Sequence, residues 1–256
     1  MKKMFYAVGL VVTLSLAASA QRATPSASQH YTGNSTAGSS DPQIHRGAPR
    51  LCNPCLFYGG NLDVPNIDSA GLSDENTLNV SDSHTYGAFT IAAGQSASVQ
   101  GLVFQVQMNA HMNPKQATWE IRSGVSTGNG GTVVASGTSA ATMSPTGRVF
   151  LGFGEYTVGV KFPSVTLSEG TYWANVTPQC TDASDGQCTS FGTRYFVSNT
   201  VKGTDNVHGG MQPAGQMFLN SSFFGLNFVN WCDASLGLNS TQCSALSFGV
   251  IGTFAN

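Results

Sequence analysis

Hydrophobic positions along this chain recur on a period of two. In Tyr156–Phe162, the residues Tyr156, Val158, Val160 and Phe162 alternate strictly with Thr157, Gly159 and Lys161. Such alternation predicts a β-strand with one buried face, because successive side chains leave the pleat on opposite sides. Ser98–Met108 repeats it through Val99, Leu102, Phe104, Val106 and Met108, around an irregularity at Gly101. In Thr118–Thr138, Trp119 and Ile121 alternate with polar neighbours, and Val133, Val134 and Ala135 form a second apolar run. The Gly/Asn/Thr-rich stretch Gly124–Gly131 between them tolerates positive φ, so this segment predicts a β-hairpin.

Further strands are predicted at Ala88–Ile91, Arg148–Phe153, Val165–Leu167, Thr171–Val176 and Tyr195–Ser198. Met217–Val229 is a dense apolar and aromatic run, and Ala245–Phe254 supplies a closing strand. No helical period of useful length is present. Strands at eight-to-twelve-residue intervals, punctuated by Gly, Pro and Asn, predict an all-β fold: an antiparallel β-sandwich, jelly-roll-like, with disulfide-stapled loops.

The pattern also divides the chain. Met1–Ala20 reads as a secretory signal peptide, with Lys2 and Lys3 ahead of the apolar Phe5–Ala18 and small residues at Ala18 and Ala20. Gln21–Arg50 is rich in Ser, Thr, Ala, Gly and Pro and has too little apolar surface to order itself, so a flexible leader is expected. Residues 51–256 then form a single β-sandwich domain. No later apolar run reaches the roughly 20 residues that cross a bilayer, so no membrane span is expected in the mature protein. The expected location is secreted: extracellular or periplasmic.

Charged residues make up only 9% of the chain, against roughly 25% in ordinary soluble domains. The surface must therefore be built largely of Ser, Thr, Asn, Gln and Gly. A net charge of −2 and the lack of a Lys/Arg cluster argue against nucleic acid, whose phosphates demand several cationic contacts.

Six cysteines fall in three close pairs, as an oxidising compartment would favour. Sequence-local pairing is the simplest expectation: Cys52–Cys55, Cys180–Cys188 and Cys232–Cys243, although six cysteines allow fifteen connectivities. A zinc or redox site at Cys52-Asn53-Pro54-Cys55 is the rival, and a second pair of matching spacing is missing. The acidic stretch Tyr58–Asn79 gathers Asp63, Asp68, Asp74 and Glu75, oxygen ligands that would suit a structural Ca²⁺. Asx-rich turns give the same composition without metal. No other cofactor is expected.

Certain segments carry a resemblance. Tyr58-Gly59-Gly60 with Asp63, Ser73–Asn76, Trp119–Thr132 (WEIRSGVSTGNGGT), Pro145–Arg148, Gly152–Val158, Glu169–Trp173 and Phe223–Phe228 resemble the pattern of a family of uncharacterised secreted bacterial β-sandwich proteins. That resemblance implies a secreted β-sandwich module and brings no activity or catalytic residues.

Candidate chemistry is sparse. Glu120 and Glu155 are the carboxylates set within the strongest strand motifs, and by alternation each points away from its apolar neighbours. Two such carboxylates lining one groove would suit the acid and base of a glycosidase; otherwise they are partners for Arg122 and Arg148. His84, His111 and His208 offer scattered imidazoles, and neither a HExxH helix nor a Gly-x-Ser-x-Gly elbow occurs. Of the neighbours Tyr172 and Trp173, one must face in and the other out; Phe223 and Phe224 pose the same choice. An outward aromatic amid uncharged polar groups is a platform for a sugar ring, which makes Trp173, Tyr172 and Phe224 the candidate ligand contacts. The expected function is a secreted, non-catalytic module that binds extracellular or cell-surface polysaccharide or serves as matrix. The alternatives are a small carbohydrate-active enzyme using Glu120 and Glu155, and self-assembly through strand edges poorly guarded by charge.

Overall fold

A computed structural model describes residues 50–61, 71–75, 82–108, 113–150, 153–179, 195–200, 217–231 and 245–255. The signal peptide, nearly all of the leader, Asp63, Asp68, His111, His208 and the cysteines at 180, 188, 232 and 243 lie outside the described residues.

The alternating segments become β1 (Cys55–Tyr58), β2 (Gly71–Ser73), β3 (Ser83–Ile91), β4 (Ser96–Met108), β5 (Gln116–Ser123), β6 (Thr132–Phe150) and β7 (Phe153–Leu167). They continue as β8 (Gly170–Gln179), β9 (Phe196–Thr200), β10 (Met217–Ser221), β11 (Leu226–Asn230), β12 (Ala245–Leu246) and β13 (Phe248–Ala255). Among the described residues there is no helix and every ladder is antiparallel. The strands join in the order β1-β13-β4-β7-β6-β5-β8-β3-β10-β11, with β9 beside β4, β2 and β12.

This sheet curls over on itself at β6. Residues Thr132–Ala140 of β6 pair with β5, and Ala141–Phe150 pair with β7. The predicted separate strand Arg148–Phe153 is therefore the end of β6 and the start of β7. The two halves meet through large side chains. Trp119 of β5 stacks on Phe162 of β7, and Phe89 of β3 packs against Phe57 of β1 and Phe248 of β13. Leu102, Phe104, Val106, Ile121, Val158, Val160, Ala174 and Val176 fill the space between. The curled antiparallel sheet is all-β as expected, and this core is compatible with a sandwich.

Both outer faces carry cover as well. Trp173 lies between Tyr172 and Ala174, which face the main core, so its ring leaves β8 on the other side. There it joins Tyr86, Ala88, Val125, Phe218 and Phe228 in a second apolar cluster, supplied partly by the β10–β11 hairpin. On the opposite half, Val103 and Ile251 pack against Cys52, with Leu51 and Cys55 beside them. Cys52 and Cys55 are disulfide-bonded.

Candidate functional site

Alternation on β3, β5 and β8 places His84, Tyr86, Glu120, Arg122, Asn175 and Thr177 on the face opposite the main core. Glu120 is not free there. Its Oε2 accepts hydrogen bonds from Tyr86 Oη at 2.9 Å and Arg122 Nε at 2.6 Å. Arg122 Nη1 donates to the Gly130 carbonyl at 3.0 Å, and its guanidinium lies 5.6 Å from the Tyr86 ring and 5.2 Å from Phe228. The group therefore pins the turn between β5 and β6.

Asp74 reaches the same face and is fully buried. It accepts Asn175 Nδ2 at 3.0 and 3.1 Å and Thr177 Oγ1 at 2.6 Å. Burial pushes its carboxyl well above the ordinary range, against the pull of those donors. Thr177 Oγ1 also stands 2.9 Å from His84 Nδ1. Burial lowers the His84 pKa, opposed by the charges of Asp82 and Glu120. Glu75 is buried too and accepts the Tyr195 backbone N–H at 3.3 Å. Asp74 and Glu75 thus point at hydrogen-bond donors. Among the described residues no group of three His, Cys, Asp or Glu is placed to hold a metal ion.

Glu155 belongs to a different place. Its Oε2 is held by Thr146 Oγ1 at 2.7 Å and by Arg148 Nε and Nη2, while Oε1 accepts Ser198 Oγ at 2.8 Å. Its side chain is fully enclosed. Glu120 faces Ser136 of β6, whereas Glu155 bonds Thr146, ten residues further along that strand. At about 3.3 Å per residue that is roughly 30 Å of strand. Among the described residues the two carboxylates share no hydrogen-bond partner. Each carboxylate is bonded to an arginine in its own half of the sheet, Glu120 to Arg122 and Glu155 to Arg148.

Of the candidate aromatics, Trp173 is 6% exposed and sits under the β10–β11 hairpin. Tyr172 faces the main core, with its ring stacked on Phe89 at 5.8 Å and its hydroxyl donating to the Ser168 carbonyl. Trp173 is thus covered by the outer apolar cluster, and Tyr172 is turned toward the main core. Phe224 lies at the tip of the β10–β11 hairpin, edge-to-face with Phe223 at 5.1 Å. Phe223 is 61% exposed. Beside it Ser222 Oγ donates to Asp82 Oδ2 at 2.9 Å, Asp82 lies 3.7 Å from His84 Nε2, and Asn220 pairs with His84 across the ladder. The hairpin tip thus carries an exposed aromatic next in the chain to Ser222, which bonds Asp82, and Asp82, His84 and Asn220 follow on the adjoining β3 and β10 strands.

No protein-family model matches this chain, and no curated protein matches it. The tip is accordingly read from its own chemistry. Phe223 was half-legible in the sequence as one of two neighbouring aromatics; Asp82, Asn220 and Ser222 were not. Their signal is the five-residue ladder Met217–Ser221 against Ser83–Gly87, and only a known register brings them together.

Proposed function

We propose that this chain is an exported, non-catalytic β module that holds extracellular or cell-surface polysaccharide at the tip of its β10–β11 hairpin. The carrying observation is Phe223, an aromatic ring left in water on a turn that the rest of the hairpin fixes. Phe224 N donates to Ser221 Oγ, and Gly225 supplies the positive φ that closes the turn. A sugar presents one apolar face and a rim of hydroxyls. Phe223 suits the first, and Ser222, Asp82, His84 and Asn220 suit the second. The scarcity of charge supports a neutral partner, and the apolar Phe5–Ala18 run supports export.

Retention on insoluble polysaccharides tests this reading, with reducing-sugar release followed in the same tubes, with and without calcium. Wild-type protein is expected to be retained without release, and Phe223→Ala to elute. Retention unchanged in Phe223→Ala, or no retention on any matrix, removes the hairpin site. Sugar release would restore an enzymatic reading.

A second reading has one observation of its own. Among the described residues, Thr132–Ala140 of β6 has a ladder partner on one side only, and no charge interrupts it. Assembly of copies through this edge would appear as concentration-dependent mass in light scattering.

A further inference from the structure

The disulfide loop Cys52-Asn53-Pro54-Cys55 borders a cavity of about 420 Å³ on the face opposite the main core. The cavity arises from irregular pairing of three neighbouring strands. Gly101 of β4 stands beside Lys161 of β7 on one side and Ile251 of β13 on the other. The next pairs are Val99 with Val165 and Val99 with Gly252. Gln100 is thus an extra residue against β13, and three residues of β7, from Phe162 to Ser164, oppose Gln100 alone. Bulges of this kind re-aim side chains, and here Gln100, Lys161, Phe162 and Ser164 all line the cavity. Between Lys161 and Ile251, Gly101 contributes no side chain; a Cβ there would come 2.5 Å from the Val160 carbonyl oxygen.

The far wall is held in place. Pro54 accepts the Gly252 N–H at 3.0 Å, and Cys52 is buried against Val103 and Ile251. Ser164 is tied to Ser98 through their hydroxyls. Asn53, Gln100, Ser164 and Lys161 thus line the cavity together with Pro54 and Ile251, while the Phe162 ring turns away to stack on Trp119 in the main core. The cations Arg122 and Arg148 are neutralised by carboxylates, while Lys161 has no ion-pair partner among the described residues.

The geometry points to a second binding site, in which Lys161 takes the carboxylate of an acidic sugar, a uronate residue, and Asn53, Gln100 and Ser164 bond its hydroxyls. The sugar part of this assignment rests on the polysaccharide reading; the carboxylate part rests on Lys161. The disulfide loop is then a recognition element.

Calorimetric titration of the purified full chain with trigalacturonate and with its fully methyl-esterified form tests the site. The acid is expected to bind at least tenfold more tightly than the ester, and Lys161→Gln to abolish that difference while Phe223→Ala leaves it intact. Equal binding of acid and ester, no binding of either, or an unaltered preference in Lys161→Gln overturns the site. The Phe223-dependent retention on neutral polysaccharide is read separately, so either site can fail while the other stands.

Discussion

The indole of Trp119 lies flat on the phenyl ring of Phe162, centroids 3.8 Å apart and planes within 16°. One ring comes from each half of the curled sheet. Behind the indole is Gly137, where a Cβ would come within 3.0 Å of the ring, and Ser139 accepts the indole N–H at 3.0 Å. Removing a buried aromatic costs about 3–5 kcal/mol. Phe162→Ala is therefore expected to lose that much stability in urea unfolding, with a shift in tryptophan emission as Trp119 loses its lid. An unmoved midpoint would show that the halves are joined elsewhere.

Glu155 is enclosed and bonded to Arg148, whose guanidinium stays partly exposed, and losing a charge-assisted hydrogen bond of this kind costs about 1.5–3 kcal/mol. Glu155→Gln should destabilise the fold by that order and leave polysaccharide retention per folded molecule unchanged. Loss of retention without loss of stability would return Glu155 to a functional role.

Asp74 and His84 give stability opposite slopes with pH. Burial raises the Asp74 pKa, so its contribution is full below about 3.8 and declines as pH rises through the higher folded value. Burial lowers the His84 pKa, so its contribution is full above 6.5 and declines as pH falls through the lower folded value. Asp74→Asn should flatten the loss on the alkaline side, and His84→Gln the loss on the acid side. Melting temperatures across pH 3–8 read both; parallel curves for wild type and variants would refute the pairing of slopes with residues.

Trp173 is packed rather than presented. Its indole N–H has no hydrogen-bond partner among the described residues, so that polar atom adds nothing to the second cluster. Trp173→Ala is expected to cost about 3–5 kcal/mol, and Trp173→Phe much less. Retention equal to wild type in Trp173→Phe would agree with a packing role, whereas its loss would make the indole a ligand contact.

The strands were legible because a period of two reports which side of a strand a residue takes. Trp119 and Ile121 face the core and Glu120 does not, as the alternation states. What lay on the other side was hidden. Parity cannot say whether an outer face meets water or a further layer: Trp173 and Glu155 are buried, while Glu120 stays partly exposed and bonds Tyr86 and Arg122 of its own sheet. The length of β6 was hidden for another reason. Ser136–Thr146 (SGTSAATMSPT) has few apolar side chains and no alternation, so its strand character comes from partners on both flanks. The bulge around Gln100 was visible only as an irregularity at Gly101, since register is a property of three strands at once.

The shared strand has a kinetic meaning. Because β6 completes one half of the sheet with its first residues and the other half with its last, neither half has a full set of neighbours without it. A chain cut within Ser136–Thr146 would leave two fragments that each lack an edge. Unfolding is expected as one cooperative transition, and refolding waits on contacts distant in sequence, which places this molecule among the slower folders of its size.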